Sequence, residues 1–216
     1  MLQALVVVKS IAMFLPIKNF LDGLDVDSIP LSRKRELDQL TNYVNESLNK
    51  HQKAQLTFIC THNSRRSHLC QIWAQIAARF YDVPDVHCFS GGTETTAVYP
   101  KVLDTLKIQG LDFTQKKKKD NPKYYLEYSE VMPPITAFSK LFDHKENPTE
   151  NFVAVMTCDH ASENCPFIPG AEKRVGITYL DPKVSDSTPE QEAVYEERST
   201  QIATEMKYVF SNVTTR

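Results

Sequence analysis

Glycine is scarce in this chain of 216 residues, with six in all, and tryptophan occurs once. So little glycine excludes collagen-like and glycine-rich linker architectures and leaves few sites for left-handed turns. Neither sign of charge is in excess: 25 lysines and arginines face 27 aspartates and glutamates, a formal net charge of −2. The two signs are interspersed, so the electrostatic footprint of a nucleic-acid binder is missing. The one dense basic run, residues 116–119, is followed by Asp120-Asn121-Pro122 and reads as a solvated turn.

Long apolar runs are missing too. The first seventeen residues are apolar in pieces, but Lys9 interrupts them and Pro16 ends them, so neither piece reaches spanning length. No basic leader with a small-residue cleavage site follows, which argues against a signal peptide. The expectation is a cytoplasmic protein without a membrane partner. In that setting five cysteines read as reactive or buried thiols and not as a disulfide framework.

One segment carries chemistry. The apolar run Leu56-Thr57-Phe58-Ile59 leads into Cys60-Thr61-His62-Asn63-Ser64-Arg65-Arg66-Ser67, a strand giving way to a helix with a cysteine six positions before an arginine. Five intervening residues let the backbone curl so that several N–H groups point inward at a helix N-terminus, where an oxyanion can sit. Arg66 supplies a planar fork suited to two oxygens. The same groups favour a thiolate, so Cys60 is expected to ionise near neutral pH, and Ser67 can donate a further hydrogen bond to its sulfur. Thr61, His62, Asn63, Ser64, Arg65, Arg66 and Ser67 are thus the candidate oxyanion-binding loop.

Cys-x-x-Asn-x-x-Arg-Ser after a strand resembles the low-molecular-weight tyrosine phosphatase family, which also contains the thioredoxin-coupled arsenate reductases. Ser90-Gly91-Gly92-Thr93-Glu94 and Tyr99-Pro100 resemble the family's second strand and following helix. The stretch from Cys158 to Cys165-Pro166 is similar to the reductase branch's redox segment, with the same seven-position step between cysteines. Asp181-Pro182 falls where the family carries its general acid, and Asp186 is a rival without the proline. The resemblance covers residues 54–212. It implies an α/β three-layer sandwich around a central parallel four-stranded sheet, for residues 54–216, preceded by a partly helical N-terminal extension, residues 1–53. Asn63 matches a loop-bracing residue. His62 stands where many members have glycine, costly if that backbone needs positive φ. Gln71 replaces a carboxylate associated with a monovalent cation in the reductase branch, which puts a potassium site in doubt. No other cofactor or metal is implied: Cys158, His160 and Cys165 lack a fourth zinc ligand at recognisable spacing.

The element pattern agrees. Leu37, Leu40, Tyr43, Val44 and Leu48 recur at helical spacing within 32–50, with Ser32 as the expected N-cap. Beyond Leu56 the expected order is strand, loop, helix (67–80), strand (86–90), helix (100–109), then a strand at 152–156 that delivers Cys158 to the ligand-bearing sheet edge. Tyr124 to Tyr128 suits an edge strand or hairpin, and residues 135–142 a short helix. Thr188 is expected to open a closing amphipathic helix at 189–210. Cys70 and Cys88 read as packing residues.

Two enzymes remain open. A phosphatase needs Cys60, Arg66 and Asp181 and nothing from the later cysteines. An arsenate reductase needs resolving thiols as well: Cys158 to attack the Cys60 sulfur and Cys165 to carry the disulfide out to a thioredoxin-like reductant. If residues 158–165 were helical, their ends would lie roughly 10 Å apart, beyond the about 4.4–6.8 Å that a disulfide tolerates, so the segment must loop or unwind. A third reading is an oxyanion-binding or redox-sensing protein without turnover. The partners that follow are arsenate or a phosphate ester and the external reductant.

Overall fold

The computed structural model describes residues 13–116, 120–159 and 167–214. Four strands form the main sheet: β1 (Ala54–Cys60), β2 (Val86–Gly92), β6 (Phe152–Met156) and β7 (Ala171–Gly176), in the order β2-β1-β6-β7. All three pairings are parallel. The two inner strands are buried almost throughout, as a sheet covered by helices on both faces requires, while β2 is mostly buried and β7 is buried only at Val175. The helices are α1 (Leu15–Asp22), α2 (Leu31–His51), α3 (Arg66–Phe80), α4 (Pro100–Ile108) and α5 (Gln191–Ser211). No described helix is long and apolar enough to cross a membrane.

A second, antiparallel sheet is built from β3 (Asp112–Lys116), β4 (Lys123–Glu127) and β5 (Ile135–Ala137). The helix expected at 135–142 is therefore replaced by a strand. Ile135 and Thr136 are β-branched residues that pair across to Leu126 and Tyr125. The expected helix caps also moved. Pro30 occupies the N-cap of α2, with Ser32 inside the helix, and Glu190 precedes α5 while the Thr188 hydroxyl donates to Ser185 O at 2.9 Å.

Leu37, Leu40, Tyr43 and Val44 of α2 are buried in one core with Leu56 and Phe58 of β1 and Met206 and Phe210 of α5. Polar contacts join the same elements. Arg33 donates to Glu205 Oε1 at 3.0 Å and Oε2 at 2.8 Å, and Tyr179 donates to Glu205 Oε2 at 2.7 Å. Trp73, fully buried on α3, stacks against Phe20 at 5.0 Å and donates its Nε1–H to Ser199 on α5 at 2.9 Å.

The outer edge of β2 is closed by side chains. Gln75 donates to Val86 O and accepts from Cys88 N–H, both at 3.0 Å. Asn147 donates to Ser90 O at 3.0 Å, and Gly92 N–H reaches Lys140 O at 2.9 Å.

Candidate active site

β1 ends at Cys60 and α3 begins at Arg66, so residues 61–65 turn the chain at the carboxyl edge of the sheet. Five successive carbonyls are tied to the surrounding wall. Thr93 N–H donates to Cys60 O, Glu94 N–H to Thr61 O, Ser139 Oγ to His62 O, His68 Nε2 to Asn63 O and Tyr99 N–H to Ser64 O, at 2.8–3.2 Å. In a trans peptide the N–H points opposite the carbonyl, so the N–H groups that follow these carbonyls face the loop's interior. No side chain caps α3; His68 N–H is bonded to Arg65 O, and the N–H groups of Arg66 and Ser67 with the helix dipole form a setting suited to an anion.

Asn63 is the residue with positive φ, at 45°, not His62; asparagine tolerates that region better than most residues. His62 instead points outward, its Nε2 3.3 Å from the Glu94 carboxylate, both side chains exposed. Asn63 is fully buried. Its Oδ1 accepts from Lys140 N–H at 2.9 Å and its Nδ2 donates to Ser67 Oγ at 2.8 Å. Ser67 Oγ in turn lies 3.1 Å from Cys60 Sγ. The asparagine already donates to that oxygen, so the serine proton is free for the sulfur.

Gly92, whose neighbours carry the loop's wall, cannot be replaced without movement. A Cβ there would lie 2.5 Å from Glu94 O, 2.7 Å from Thr61 O and 2.8 Å from Asn63 N.

Arg66 donates through Nη2 to Asp181 Oδ2 at 2.6 Å and through Nη1 to Tyr179 O at 3.1 Å. Asp181 also caps the 3₁₀ turn Pro182–Ser185 by accepting from Lys183 N–H. Cys60, His62, Ser64, Arg65, Arg66 and Asp181 line a small pocket of about 10 Å³. Arg65 turns away from the site. It donates to Asp186 Oδ2 and to the Tyr195 hydroxyl, both at 2.5 Å, and its guanidinium stacks 3.9 Å from the Tyr99 ring centre. Burial opposes its charge, but Tyr195 and Asp186 more than offset this and raise its pKa. Asp186 further accepts from Tyr195 OH at 2.7 Å and from Gln191 at 3.2 Å, so it is committed to holding Arg65.

Cys158 follows β6 and is buried beside the loop, its Sγ 3.6 Å from Thr61 Oγ1. It belongs to the same apolar cluster as Cys60. Cys165 and His160 lie outside the described residues. Cys60, Cys70 and Cys88 are free thiols. Cys70 and Cys88 sit in the main core, where burial raises both pKa values. Gln71 is buried, donating to Thr136 O at 3.2 Å. Among the described residues there is no cluster of three or more metal-ligating side chains.

Comparison with known proteins places this geometry. No family model matches the chain. An arsenate reductase of Staphylococcus aureus (strain Newman) is 30% identical over 131 residues, which cover 60% of this chain and 79% of that enzyme. The chain belongs to the arsenate reductase family. An arsenate reductase of Halalkalibacterium halodurans is 23% identical over 139 residues, covering 64% of this chain and 81% of the relative. The fold matches a low-molecular-weight phosphotyrosine phosphatase from Vibrio cholerae O395, with a TM-score of 0.51 at 12% identity, over 73% of this chain and 95% of that one. The family's architecture, a parallel four-stranded sheet between helices, is thus present here, with the cysteine loop at its carboxyl edge.

The signal that sequence reading missed is Lys140, a lysine only 4% exposed behind the loop. Nothing in its local sequence marks it as buried.

Proposed function

We propose that this member of the arsenate reductase family reduces arsenate through a three-cysteine relay. Cys60 attacks arsenic(V) held on the loop N–H groups and Arg66. Asp181, released from Arg66 as the anion enters, protonates the departing oxygen, which leaves as water. Cys158 then attacks the Cys60 sulfur. The Cys60–arsenic bond breaks with its electron pair staying on arsenic, so arsenite departs as arsenic(III) and the two cysteines are joined by a disulfide. Cys165 attacks Cys158 and frees Cys60. A thioredoxin-like dithiol finally reduces the Cys158–Cys165 bond and restores the starting thiols. Such a cycle belongs in a reducing compartment, the cytoplasm in a bacterial cell.

The observation that carries this reading is the placement of Cys158, a cysteine buried against Thr61 in the same cluster as Cys60. Hydrolysis of a phosphate ester would need Cys60, Arg66 and Asp181 but no second sulfur there. The deciding experiment adds one equivalent of arsenate to the reduced protein and maps disulfides by non-reducing digestion and mass spectrometry. The expected product is a Cys158–Cys165 bond with one arsenite released. In Cys165→Ser the expected product is a trapped Cys60–Cys158 bond. Turnover of an aryl phosphate without any arsenate-dependent disulfide would replace the reductase by a phosphatase.

A further inference from the structure

Lys140 is a buried cation that the relay does not use. Among the described residues no carboxylate forms an ion pair with it; the nearby Glu146 pairs with Lys123 at 2.5 Å. Its ammonium donates to Ser90 Oγ at 3.4 Å and lies 4.7 Å from the centre of the Phe138 ring. Ser90 Oγ lies 3.3 Å from His68 Nδ1, and His68 Nε2 lies 2.9 Å from Asn63 O. Ser90, His68 and Asn63 are all fully buried.

The direction of every proton in this chain follows from its ends. An ammonium only donates and a carbonyl only accepts. Ser90 Oγ therefore accepts from Lys140 and gives its own proton to His68 Nδ1. The remaining N–H of a neutral His68 sits on Nε2 and donates to Asn63 O. Burial, with the Lys140 charge next, pushes the His68 pKa down to about 3, so the ring stays neutral at working pH. A second line runs through the main chain, from Lys140 N–H to Asn63 Oδ1, then from Asn63 Nδ2 to Ser67 Oγ and on to Cys60 Sγ. Both lines meet at Asn63, the loop residue with positive φ.

We propose that Lys140 is a positioning residue for Cys60: its ammonium, acting through Ser90 and His68, holds the Asn63 peptide in the conformation that turns the loop's N–H groups inward. It also sets a positive charge behind a loop that must hold a thiolate and an oxyanion. The groups facing it are His68 from α3, Lys123 from β4 and Glu146 from the loop after β5; burial and Lys123 lower the Lys140 pKa to about 8, against the pull of Glu146. Below that pH the ammonium is charged, and above it the donor line weakens.

The inference rests on Cys60 being the reactive thiol, and its test separates the two claims. Lys140→Met keeps the side chain's bulk and the main-chain line but removes the charge. Ser90→Ala leaves the lysine and cuts its line to His68. The rate at which iodoacetamide labels Cys60 in the intact protein is measured from pH 5 to 9 and read by peptide mass spectrometry. Lys140→Met is expected to label Cys60 about tenfold more slowly at pH 6, the loss of thiolate that corresponds to one pH unit, and to move the whole profile to higher pH. Ser90→Ala moves it in the same direction by less. The same profiles in wild type and Lys140→Met, with wild-type Cys60 clearly outpacing Cys70 and Cys88, would overturn the role of Lys140 alone. Wild-type Cys60 no faster than those two would overturn the nucleophile and this inference together. Should Lys140→Met fail to fold, an unchanged Ser90→Ala profile overturns the proposal by itself.

Discussion

Arg66 Nη2 and Asp181 Oδ2 stand 2.6 Å apart, so the two side chains to which the proposed mechanism gives the oxyanion clamp and the proton donor are paired with each other. An entering anion competes with Asp181 for the guanidinium. Asp181→Asn removes the competitor, and inorganic phosphate is expected to bind that variant more tightly than wild type, measured by calorimetry. The same variant should turn over aryl phosphates with poor leaving groups about 10²–10⁴-fold more slowly, the usual contribution of a general acid, and those with good leaving groups with little change. An equal small loss for both would move the acid elsewhere.

Asp186 separates from Asp181 in the same assay. Its partners are Arg65, Tyr195 and Gln191, so Asp186→Asn should lower stability without a leaving-group dependence. A steep dependence in Asp186→Asn would make it the acid.

Gly92→Ala tests the wall of the loop. The added methyl has three backbone atoms within 2.8 Å, none of which is a flexible chain end. Overpacking of this kind typically costs about 1–3 kcal/mol, and here the displaced atoms include Thr61 O and Asn63 N. Loss of Cys60 reactivity with a still cooperative urea transition is the expected outcome; full activity would show that the wall yields freely.

Arg33 and Glu205 are both largely buried, at 16% and 4% side-chain exposure. Removing one member of such a pair strands the other, a loss of about 3–5 kcal/mol. Arg33→Met should show it in urea unfolding, and Arg33→Met with Glu205→Gln should recover most of it. A double variant as unstable as the single one would place the loss in packing.

His68 makes stability fall in acid. Its ordinary pKa is 6.5 and burial lowers it to about 3 in the fold, so between those values the unfolded chain binds a proton that the folded chain refuses. The contribution is complete above pH 6.5 and is lost as pH falls toward 3. His68→Gln should flatten the melting temperature over that window, once the carboxylates' own contribution is subtracted by comparison with wild type at each pH.

The parallel sheet and its loop were legible because their signals are local. A continuous apolar run ending at Cys60 and a helix opening at Arg66 put these two residues at the ends of one turn, and Cys158 follows a strand five residues long. Other features depend on distant partners. Ile135, Thr136 and Ala137 share a segment with residues compatible with a helix and are a strand only because β4 offers an edge. Arg65 carried no sign of which way it would face; Asp186, more than a hundred residues on, decides that. Lys140 reads as an ordinary surface lysine until the sheet places Ser90 and Phe138 around it. The positive φ lies at Asn63 and not at His62, because a motif gives the length of a turn without saying which of its peptides is flipped.

The amide of Gln75 set against Val86 O and Cys88 N–H imitates a neighbouring strand. With Asn147, the Lys140 carbonyl and Phe142 N–H occupying Ser90 O, Gly92 N–H and Gly92 O, much of the β2 margin is taken, which disfavours the addition of another polypeptide by main-chain pairing. Copies of the chain are thereby discouraged from joining edge to edge at that margin, and under the proposed relay a reductant would meet the loops at the strands' carboxyl ends instead.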